Sequence, residues 1–188
     1  MSLKQTIDVL NRMEKAGVIG RYCISGAVAA FYHVEASATE DLDVLVSFED
    51  AGSKTGLLSL APIVKYLNEL GYAQFQKEGI LIEGWPVQFL PVADPLDAEA
   101  LATALEVSVS LEGGDVQTRL LRPEHIVAVA LRTGRPKDRV RALQFLENDA
   151  VEIDALCPVL GRHRLLQALA DLCGAVGLSN PCMLERNA

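Results

Sequence analysis

A short stretch in the first quarter of the chain constrains the fold more than any other segment. An apolar strand candidate, Arg21–Ser25, ends at Gly26, and a helix candidate of small apolar residues, Ala27–Val34, follows at once. The next strand candidate, Asp43–Phe48, is β-branched and apolar and comes directly after Asp41 and a leucine. The stretch therefore predicts a strand–turn–helix–strand unit whose polar groups lie at the turn and at the start of the second strand.

The two ends of this unit carry groups that suit a phosphate and a divalent cation. Glycine at position 26 lets the backbone approach a ligand closely, and the free N–H groups of a helix start attract anions. Side chains alternate along a strand, so Asp41 and Asp43 share one face, about 6–7 Å apart. Mg²⁺ prefers one or two carboxylates together with substrate phosphates. The combination predicts a site for a nucleoside triphosphate (NTP) with Mg²⁺, the phosphates lying at Ser25, Gly26 and Ala27.

The rest of the first two thirds of the chain predicts helices and the strands of a mixed sheet. Ser2 begins an N-terminal helix that ends near Gly17, and apolar residues at helical spacing over 60–70 predict another. Asp94 and Pro95 have the residue types that begin a helix. The further strand candidates are Ala73–Glu78, Ile80–Glu83, Pro86–Val92, Val107–Leu111 and Val116–Leu121.

From Pro123 onward the pattern is helical. Helices are predicted over Pro123–Thr133, Pro136–Asn148 and about Arg162–Val176. The fold class expected is therefore α+β, with a mixed-sheet core over residues 1–122 and a C-terminal helical segment over 123–188. We expect the two to pack as one domain, because 188 residues are the usual size of one.

Charge and hydropathy exclude several classes of protein. The formal net charge of −8 argues against a general nucleic-acid coat protein, since counterion release needs a positive surface. The charge is uneven, however, and Arg119–Arg141 carries seven basic residues against two acidic ones, a net +5. No apolar run approaches the ~18–20 residues of a membrane span, and the N-terminus lacks the layout of a secretion signal. These features predict a cytoplasmic protein that does not cross a membrane.

The cysteines predict neither a metal site nor a disulfide framework. The chain has four, with no Cys-x-x-Cys pair and no Cys/His array: Cys23, Cys157, Cys173 and Cys182. In a cytoplasmic protein such a pattern predicts buried, reduced thiols.

The polar groups around Gly26 resemble a family pattern. Gly26-Ala27 followed by Asp41-Leu42-Asp43 resembles the signature of the DNA polymerase β-like nucleotidyltransferase superfamily, in which Gly and then Gly or Ser precede Asp-x-Asp or Asp-x-Glu. Within it, the chain is most similar to the AbiEii-like and minimal nucleotidyltransferase group. Gly79–Val92 resembles the later hairpin that carries the family's third carboxylate, and Leu121–Leu146 resembles its C-terminal helix pair. The resemblance covers about Tyr22–Leu146.

This resemblance implies transfer of a nucleoside monophosphate (NMP) from an NTP to an acceptor hydroxyl on a tRNA end, a protein or a small molecule. Two Mg²⁺ ions held by carboxylates would activate the acceptor oxygen and neutralise the leaving pyrophosphate. Carried over to this chain, Asp41 and Asp43 are catalytic metal ligands, and the backbone at Gly26 holds the triphosphate. Lys137, with Arg135 beside it, is a candidate for neutralising phosphate charge. The alternative for both basic residues is a solvated helix start.

Two positions depart from the family pattern. Ala27 stands where the family has Gly or Ser, which removes any hydroxyl contact to phosphate. Gln88 stands where the third carboxylate is expected, and an amide offers a carbonyl oxygen but no charge and no general base. Acid–base assistance is typically worth ~10²–10⁴-fold in rate, so such an enzyme is expected to be slow. Glu83 and Asp94 are candidate substitutes, with a hairpin surface residue and a helix cap as the respective alternatives.

Three functions therefore stay open at the level of sequence. The first is a Mg²⁺-dependent nucleotidyltransferase. The second is a non-catalytic nucleotide-binding or toxin–antitoxin partner module on the same fold, which Ala27 and Gln88 favour. The third is an RNA-facing protein that uses the basic residues of Arg119–Arg141. The scattered histidines and Trp85 are predicted to be structural.

Overall fold

The computed structural model describes residues 2–35, 39–47 and 60–183, which contain seven strands and eight helices. The chain divides into two compact units. The first comprises Met1–Ala29 and Ala36–Leu121, and the second comprises Ala30–Glu35 and Arg122–Ala188. The expectation that core and helical segment pack as one domain stays a prediction.

All the strands belong to the first unit and form one mixed sheet. They are β1 (Tyr22–Ile24), β2 (Leu42–Val46), β3 (Phe75–Gln76), β4 (Gly79–Ile82), β5 (Trp85–Pro91), β6 (Leu105–Leu111) and β7 (Gly114–Leu120). Their order across the sheet is β3-β4-β5-β2-β1-β7-β6. β2 runs parallel to β5 and antiparallel to β1, and β1 runs parallel to β7. The α+β fold with a mixed sheet is confirmed; Phe48, the last residue of the predicted second strand, lies outside the described residues.

The helices that begin in the first unit are α1 (Leu3–Lys15), α2 (Gly26–Ala30), α3 (Ala61–Glu69) and α4 (Pro95–Ala102). Of these, α1 and α4 begin at the caps that the sequence predicts. Ser2 Oγ accepts a hydrogen bond from Gln5 N at 3.3 Å, and Asp94 Oδ1 accepts one from Asp97 N at 2.9 Å. The buried side of α1 is joined to the sheet by Thr6, whose hydroxyl donates to Ile82 O at 3.0 Å.

The helix after Gly26 is shorter than predicted. It ends at Ala30, and the N–H groups of both His33 and Val34 bond to Ala30 O at 2.9 Å in a closing turn. Aromatic and β-branched residues follow Ala30, and these lose side-chain freedom in a helix. The predicted extension to Val34 is therefore wrong.

The second unit contains four helices, of which the sequence predicts three. They are α5 (Pro123–Thr133), α6 (Pro136–Glu147), α7 (Ile153–Arg162) and α8 (Leu166–Val176). The predicted single helix over about Arg162–Val176 is wrong at its start, because the chain turns at Arg164 with φ +58°. The sequence pattern does not predict α7, because Pro158, a helix breaker, lies inside it. Leu156, Val159 and Leu160 nevertheless give α7 a buried face.

A disulfide joins α7 to the segment that follows α8. Cys157 and Cys182 are bonded, with their Cα atoms 5.6 Å apart, while Cys23 and Cys173 are free and buried. The prediction of reduced thiols is therefore wrong for one pair and right for the other. A separation of 25 residues carries no local sequence signal, because only the packing of the helices brings the two cysteines together.

Across residues 2–35, 39–47 and 60–183, none of the helices has both the length and the apolar character required to cross a bilayer.

Candidate functional site

The start of β2 brings together the two predicted carboxylates and Gln88. Leu42 and Val44 are fully buried, whereas the alternating residues Asp41 and Asp43 are partly exposed. In the parallel pairing of β2 with β5, Asp43 lies opposite Gln88, which is also partly exposed. Gln88 therefore occupies a position beside the carboxylate pair, as the family resemblance implies for a third acidic residue.

Hydrogen bonds from neutral groups orient the Asp41 carboxylate. Thr39 Oγ1 donates to Asp41 Oδ1 at 3.0 Å, and Gln88 Nε2 donates to Asp41 Oδ2 at 3.2 Å. Each carboxylate oxygen has two lone pairs, so both oxygens keep acceptor capacity for a cation. Gln88 thus contributes an N–H donor at the place where an acidic residue would contribute negative charge.

The turn before α2 packs directly against Asp43. Ser25 N donates to Asp43 O at 2.9 Å, and the Ser25 hydroxyl is 3.4 Å from the same carbonyl oxygen. Gly26 has φ +62°, and a Cβ atom there would lie 3.0 Å from Asp43 Cγ and 3.1 Å from Asp43 Cβ. Glycine is therefore required at position 26 for two reasons, its left-handed backbone conformation and its closeness to Asp43.

The three residues predicted to hold phosphate have different surroundings. Ser25 is 6 % exposed and its hydroxyl faces the backbone of β2, which gives it a structural contact. Gly26 and Ala27 are partly exposed at the first positions of α2. A phosphate-binding role for this turn stays a prediction.

Sequence reasoning missed an ion pair next to the carboxylates. Lys77, in the turn between β3 and β4 with φ +55°, pairs its Nζ with Glu40 Oε2. The hydrogen bond to Glu40 raises the pKa of Lys77, and the charge of Asp41 adds to this effect. The same bond lowers the pKa of Glu40. A cation thus lies beside the site, and no local pattern reveals it because Lys77 is 37 residues from Glu40 along the chain.

The predicted phosphate-neutralising residues Arg135 and Lys137 belong to the second unit. Arg135 Nε donates to Asp138 Oδ2 at 2.6 Å, so this side chain holds the junction between α5 and α6. Lys137 is exposed in the first turn of α6. Their action on a nucleotide stays a prediction.

The structure divides the basic strip that the sequence shows over Arg119–Arg141. Arg119 lies in the first unit, where it pairs with Glu14 at 2.8 Å and Glu106 at 3.4 Å. Arg141 pairs with Asp138 at 3.0 Å in the second unit. Much of the positive charge is therefore neutralised within the chain, which weakens the hypothesis of an RNA-facing surface.

The two acidic residues considered as substitutes for a third carboxylate have structural contacts of their own. Glu83 has φ +51° in the turn between β4 and β5, and its carboxylate accepts a hydrogen bond from the Tyr72 hydroxyl. Asp94 caps α4. Both contacts agree with the structural alternatives for these residues.

The donor set at β2 fits one kind of metal site. Within the part of the chain that the structure describes, no group of three or more His, Cys, Asp or Glu residues is arranged to hold a metal ion. Asp41 and Asp43 alone match the preference of Mg²⁺ for one or two carboxylates with phosphate oxygens completing its shell. They do not form the three-carboxylate set that would hold two metal ions without a large contribution from the nucleotide.

Comparisons with known proteins give a likeness in structure. No family model matches the chain, and none of the curated proteins matches it. The crystal structure of an antigenic nucleotidyltransferase-like protein from Paracoccidioides brasiliensis superposes with a TM-score of 0.55 and 16% sequence identity, covering 93% of this chain and 88% of that chain. At this identity the likeness shows the fold alone. The chain has a nucleotidyltransferase-like fold.

Proposed function

We propose that the chain is a Mg²⁺-dependent nucleotidyltransferase, which transfers an NMP group from an NTP to an acceptor hydroxyl. The observation that carries the proposal is the pair Asp41 and Asp43 on the exposed side of β2, with the backbone of Gly26 packed against Asp43. A nucleotidyltransferase-like fold supports it. The subgroup, AbiEii-like or minimal, and the identity of the acceptor (tRNA, protein or small molecule) are finer parts of the same proposal.

The residues of the site have distinct roles in this proposal. Asp41 and Asp43 would hold Mg²⁺, which when bound neutralises phosphate charge and activates an acceptor oxygen. Thr39 and Gln88 keep the Asp41 carboxylate in one orientation through their hydrogen bonds. The absence of a side chain at Gly26 lets the Asp43 carboxylate lie directly against the turn whose backbone would bind a phosphate.

Positive charge for the phosphates would come from lysine. Lys77 is in the same unit as the carboxylates, and its partner Glu40 is mostly exposed, so the lysine can exchange Glu40 for a phosphate oxygen at small cost. Lys137 and Arg135 are the further candidates. We assign the larger share to Lys77 because its charge already interacts with Asp41.

A second function, nucleotide binding without transfer, is favoured by one specific observation. Gln88 donates to Asp41 at 3.2 Å, so the group beside the carboxylates cannot take a proton from an acceptor hydroxyl. Loss of such a base costs ~10²–10⁴-fold in rate. A nucleotide sensor or one member of a toxin–antitoxin pair would tolerate this loss.

Binding and transfer measured together test the proposal. Calorimetry with each of the four NTPs and Mg²⁺ should detect binding, and removal of Mg²⁺ with a chelator should abolish it. Label from an NTP labelled in its α-phosphate should move to an acceptor in a mixture of tRNA, protein extract and small molecules. The double variant Asp41→Asn, Asp43→Asn should lose both signals. The matched control Asp8→Asn, Asp115→Asn, which removes two carboxylates elsewhere in the first unit, should keep them.

The substitution Gln88→Glu distinguishes the two functions. An enzyme slowed by the missing base should gain up to ~10²-fold in transfer when a carboxylate is restored. Mg²⁺–NTP binding with no transfer in either the wild type or Gln88→Glu would favour the binding module. Transfer that survives the Asp41, Asp43 double change would disprove the assignment of these residues.

A further inference from the structure

β6 forms one edge of the sheet, and no strand among the described residues pairs with its outer side. Its pairing with β7 runs without a bulge from Leu105↔Leu120 to Leu111↔Gly114. Long, regular edge strands tend to pair with other chains, and proteins usually protect them with Pro, Lys, bulges or short length. Over its seven residues, β6 has no Pro, Lys or bulge, and its one charged residue, Glu106, pairs with Arg119 of the same chain at 3.4 Å.

The direction of each backbone group along β6 follows from the neighbouring strands. Leu121 N donates to Ile24 O at 3.0 Å, so alternate residues of β7 direct their backbone groups to β1 and the others direct theirs to β6. The β6 residues opposite the second set are Leu105, Val107, Val109 and Leu111. The outward N–H and C=O groups of β6 therefore belong to Glu106, Ser108 and Ser110.

The side chains of β6 are nearly symmetric about Ser108. The sequence LEVSVSL alternates half-buried Leu and Val with exposed Glu and Ser. In an antiparallel pairing of two copies about a two-fold axis at Ser108, Leu105 lies opposite Leu111 and Val107 opposite Val109. On the other face, Ser108 lies opposite itself. Glu106 lies opposite Ser110, so no two like charges are opposed.

The same register satisfies the outward backbone groups. The pairs Glu106–Ser110, Ser108–Ser108 and Ser110–Glu106 each exchange two hydrogen bonds, because all three residues direct their backbone groups outward. Shifting the register by one residue would place inward-directed groups against outward-directed ones and would put Leu and Val opposite Ser. Backbone direction and side-chain type therefore exclude a shift by one residue, and among the registers that satisfy both, only the one centred on Ser108 pairs all seven residues of β6.

We propose that β6 is a dimerisation surface for a second copy of this chain, in which the two sheets join edge to edge through antiparallel pairing centred on Ser108. Such an isologous contact closes at two copies and leaves no further β6 edge exposed. β1 and β7 separate β6 from the carboxylates on β2. The dimer is therefore independent of the proposed function, and either inference can fail without the other.

Sedimentation over a concentration series of the full chain tests the dimer. A contact of one strand per copy is small, so we expect reversible dimerisation with a Kd on the order of micromolar. Ser108→Lys places two lysines opposite each other on the two-fold axis and should raise the Kd at least tenfold. The matched control is Gln117→Lys, since Gln117 is the exposed cross-strand neighbour of Ser108 on β7 and is one strand away from the edge. It should dimerise like the wild type.

Cross-linking tests the register and does not depend on the folding of a lysine variant. In the proposed dimer the two Ser108 Cα atoms are about 5.5 Å apart, within the range of a disulfide. Ser108→Cys should therefore form a covalent dimer under mild oxidation. Ser110→Cys is the matched control and should not, because two Ser110 residues would be separated by four residues of strand.

Three results would overturn the proposal. They are a monomer at every concentration, a Kd for Ser108→Lys equal to that of Gln117→Lys, and equal cross-linking at positions 108 and 110. Equal cross-linking would show that another protein surface, or a different register, brings the copies together.

Discussion

The chain contains two polar clusters, each built around an aspartate, and the partners of the two aspartates are opposite in kind. At the start of β2, Asp41 is partly exposed and is held by two neutral donors, Thr39 and Gln88. At the junction of α5 and α6, Asp138 is only 1% exposed and accepts hydrogen bonds from two arginines and a threonine. The first carboxylate keeps capacity for a ligand. The second carboxylate already accepts its hydrogen bonds from groups within the protein.

This difference shows that a count of charges does not reveal which charged residues are already paired within the protein. Arg119–Arg141 has a net charge of +5 in the sequence, yet Arg119, Arg135 and Arg141 all have carboxylate partners in the structure. Asp138 alone engages two of these three cations. A carboxylate held by neutral donors is available to a cation, whereas a carboxylate held by arginines is not. Whether a charged residue is functional therefore depends on its partners.

The largest effect is expected for Asp138→Asn. An amide places an N–H group among the donors Thr133, Arg135 and Arg141, and it leaves the arginines without their counter-charge. Breaking a buried ion pair from one side typically costs about 3–5 kcal/mol, and this applies to the pair with Arg141, which is 14% exposed, because Arg135 is 59% exposed. Far-UV circular dichroism during urea unfolding will measure the loss. Asp149→Asn, an exposed change in the same unit, should stay within about 0.5 kcal/mol of the wild type.

The pH dependence of stability checks the same cluster. Burial raises the pKa of Asp138, but hydrogen bonds from Arg135 and Thr133 outweigh it and the pKa is lowered. The unfolded state then binds the proton at higher pH than the folded state. The Asp138 contribution is therefore fully present above about pH 4 and is lost as the pH falls through the folded pKa. A stability difference between wild type and Asp138→Asn that persists unchanged at pH 2 would contradict this account.

The disulfide is a second internal link in the helical unit, and removing it is expected to have the next largest effect. It closes a loop between residues 25 apart, for which chain entropy predicts a stabilisation of about 3 kcal/mol. Cys157→Ala with Cys182→Ala should lower stability by this amount, and a reductant should lower the wild type equally. Thiol counting in denaturant should find two free thiols without reductant and four with it.

The number of free thiols also tests the predicted cellular location. Disulfides are rare in the cytosol and persist in oxidising compartments. The cytoplasmic location expected from the sequence stays a prediction, and the bond between Cys157 and Cys182 argues against it. Four thiols in protein isolated without reductant would remove that argument.

Local patterns account for the parts of the fold that the sequence predicts well. The apolar run of β2 and the bounds of α5, from Pro123 to Thr133, are visible because neighbouring residues determine them. α7 is not visible in the sequence pattern because Pro158 lies inside it, on the exposed side, while the buried side of the helix packs. The disulfide and the approach of Lys77 to Glu40 depend on which distant segments meet. The sequence therefore predicts elements better than it predicts their contacts.

The candidate site likewise has features that the sequence predicts and features that it does not. Asp41 and Asp43 are predictable because a strand places alternate residues on one face. The position of Gln88 was expected only from the family resemblance, since its pairing with Asp43 joins two strands that are far apart in the chain. The close approach of Gly26 to Asp43 is a matter of packing, and no spacing rule contains it.

Substitutions of Gly26 and Gly134 compare the two units directly. The loss of stability expected at these glycines is smaller than that expected for Asp138→Asn or for removal of the disulfide. Both have φ +62°, but a Cβ at Gly26 meets Asp43, whereas at Gly134 the nearest atom is Leu131 O at 3.9 Å. Gly134→Ala should cost about 1–2 kcal/mol, the price of the left-handed conformation. Gly26→Ala should cost more and should also weaken Mg²⁺–NTP binding, because Asp43 must move.

Two spectroscopic signals assign these costs to the units. Trp85 is the only tryptophan of the chain and lies on β5 in the first unit, so its fluorescence reports unfolding there. Gly26→Ala should shift the fluorescence transition, and Gly134→Ala should shift circular dichroism, to which the helical unit contributes strongly. Equal costs at both glycines would refute a special contact at position 26.

The smallest effect is expected at the lysines, and it decides which unit supplies charge to the phosphates. Lys77→Met should weaken Mg²⁺–NTP binding by about twofold to fivefold, the range of an exposed ion pair. Glu40→Gln should strengthen binding slightly, because it frees Lys77 from its partner. Both changes should shrink as salt is added, since exposed charges are screened. A loss confined to Lys137→Met would instead assign the phosphate contact to the second unit. The carboxylates Asp41 and Asp43 would then be the charged groups of the first unit that act on the nucleotide.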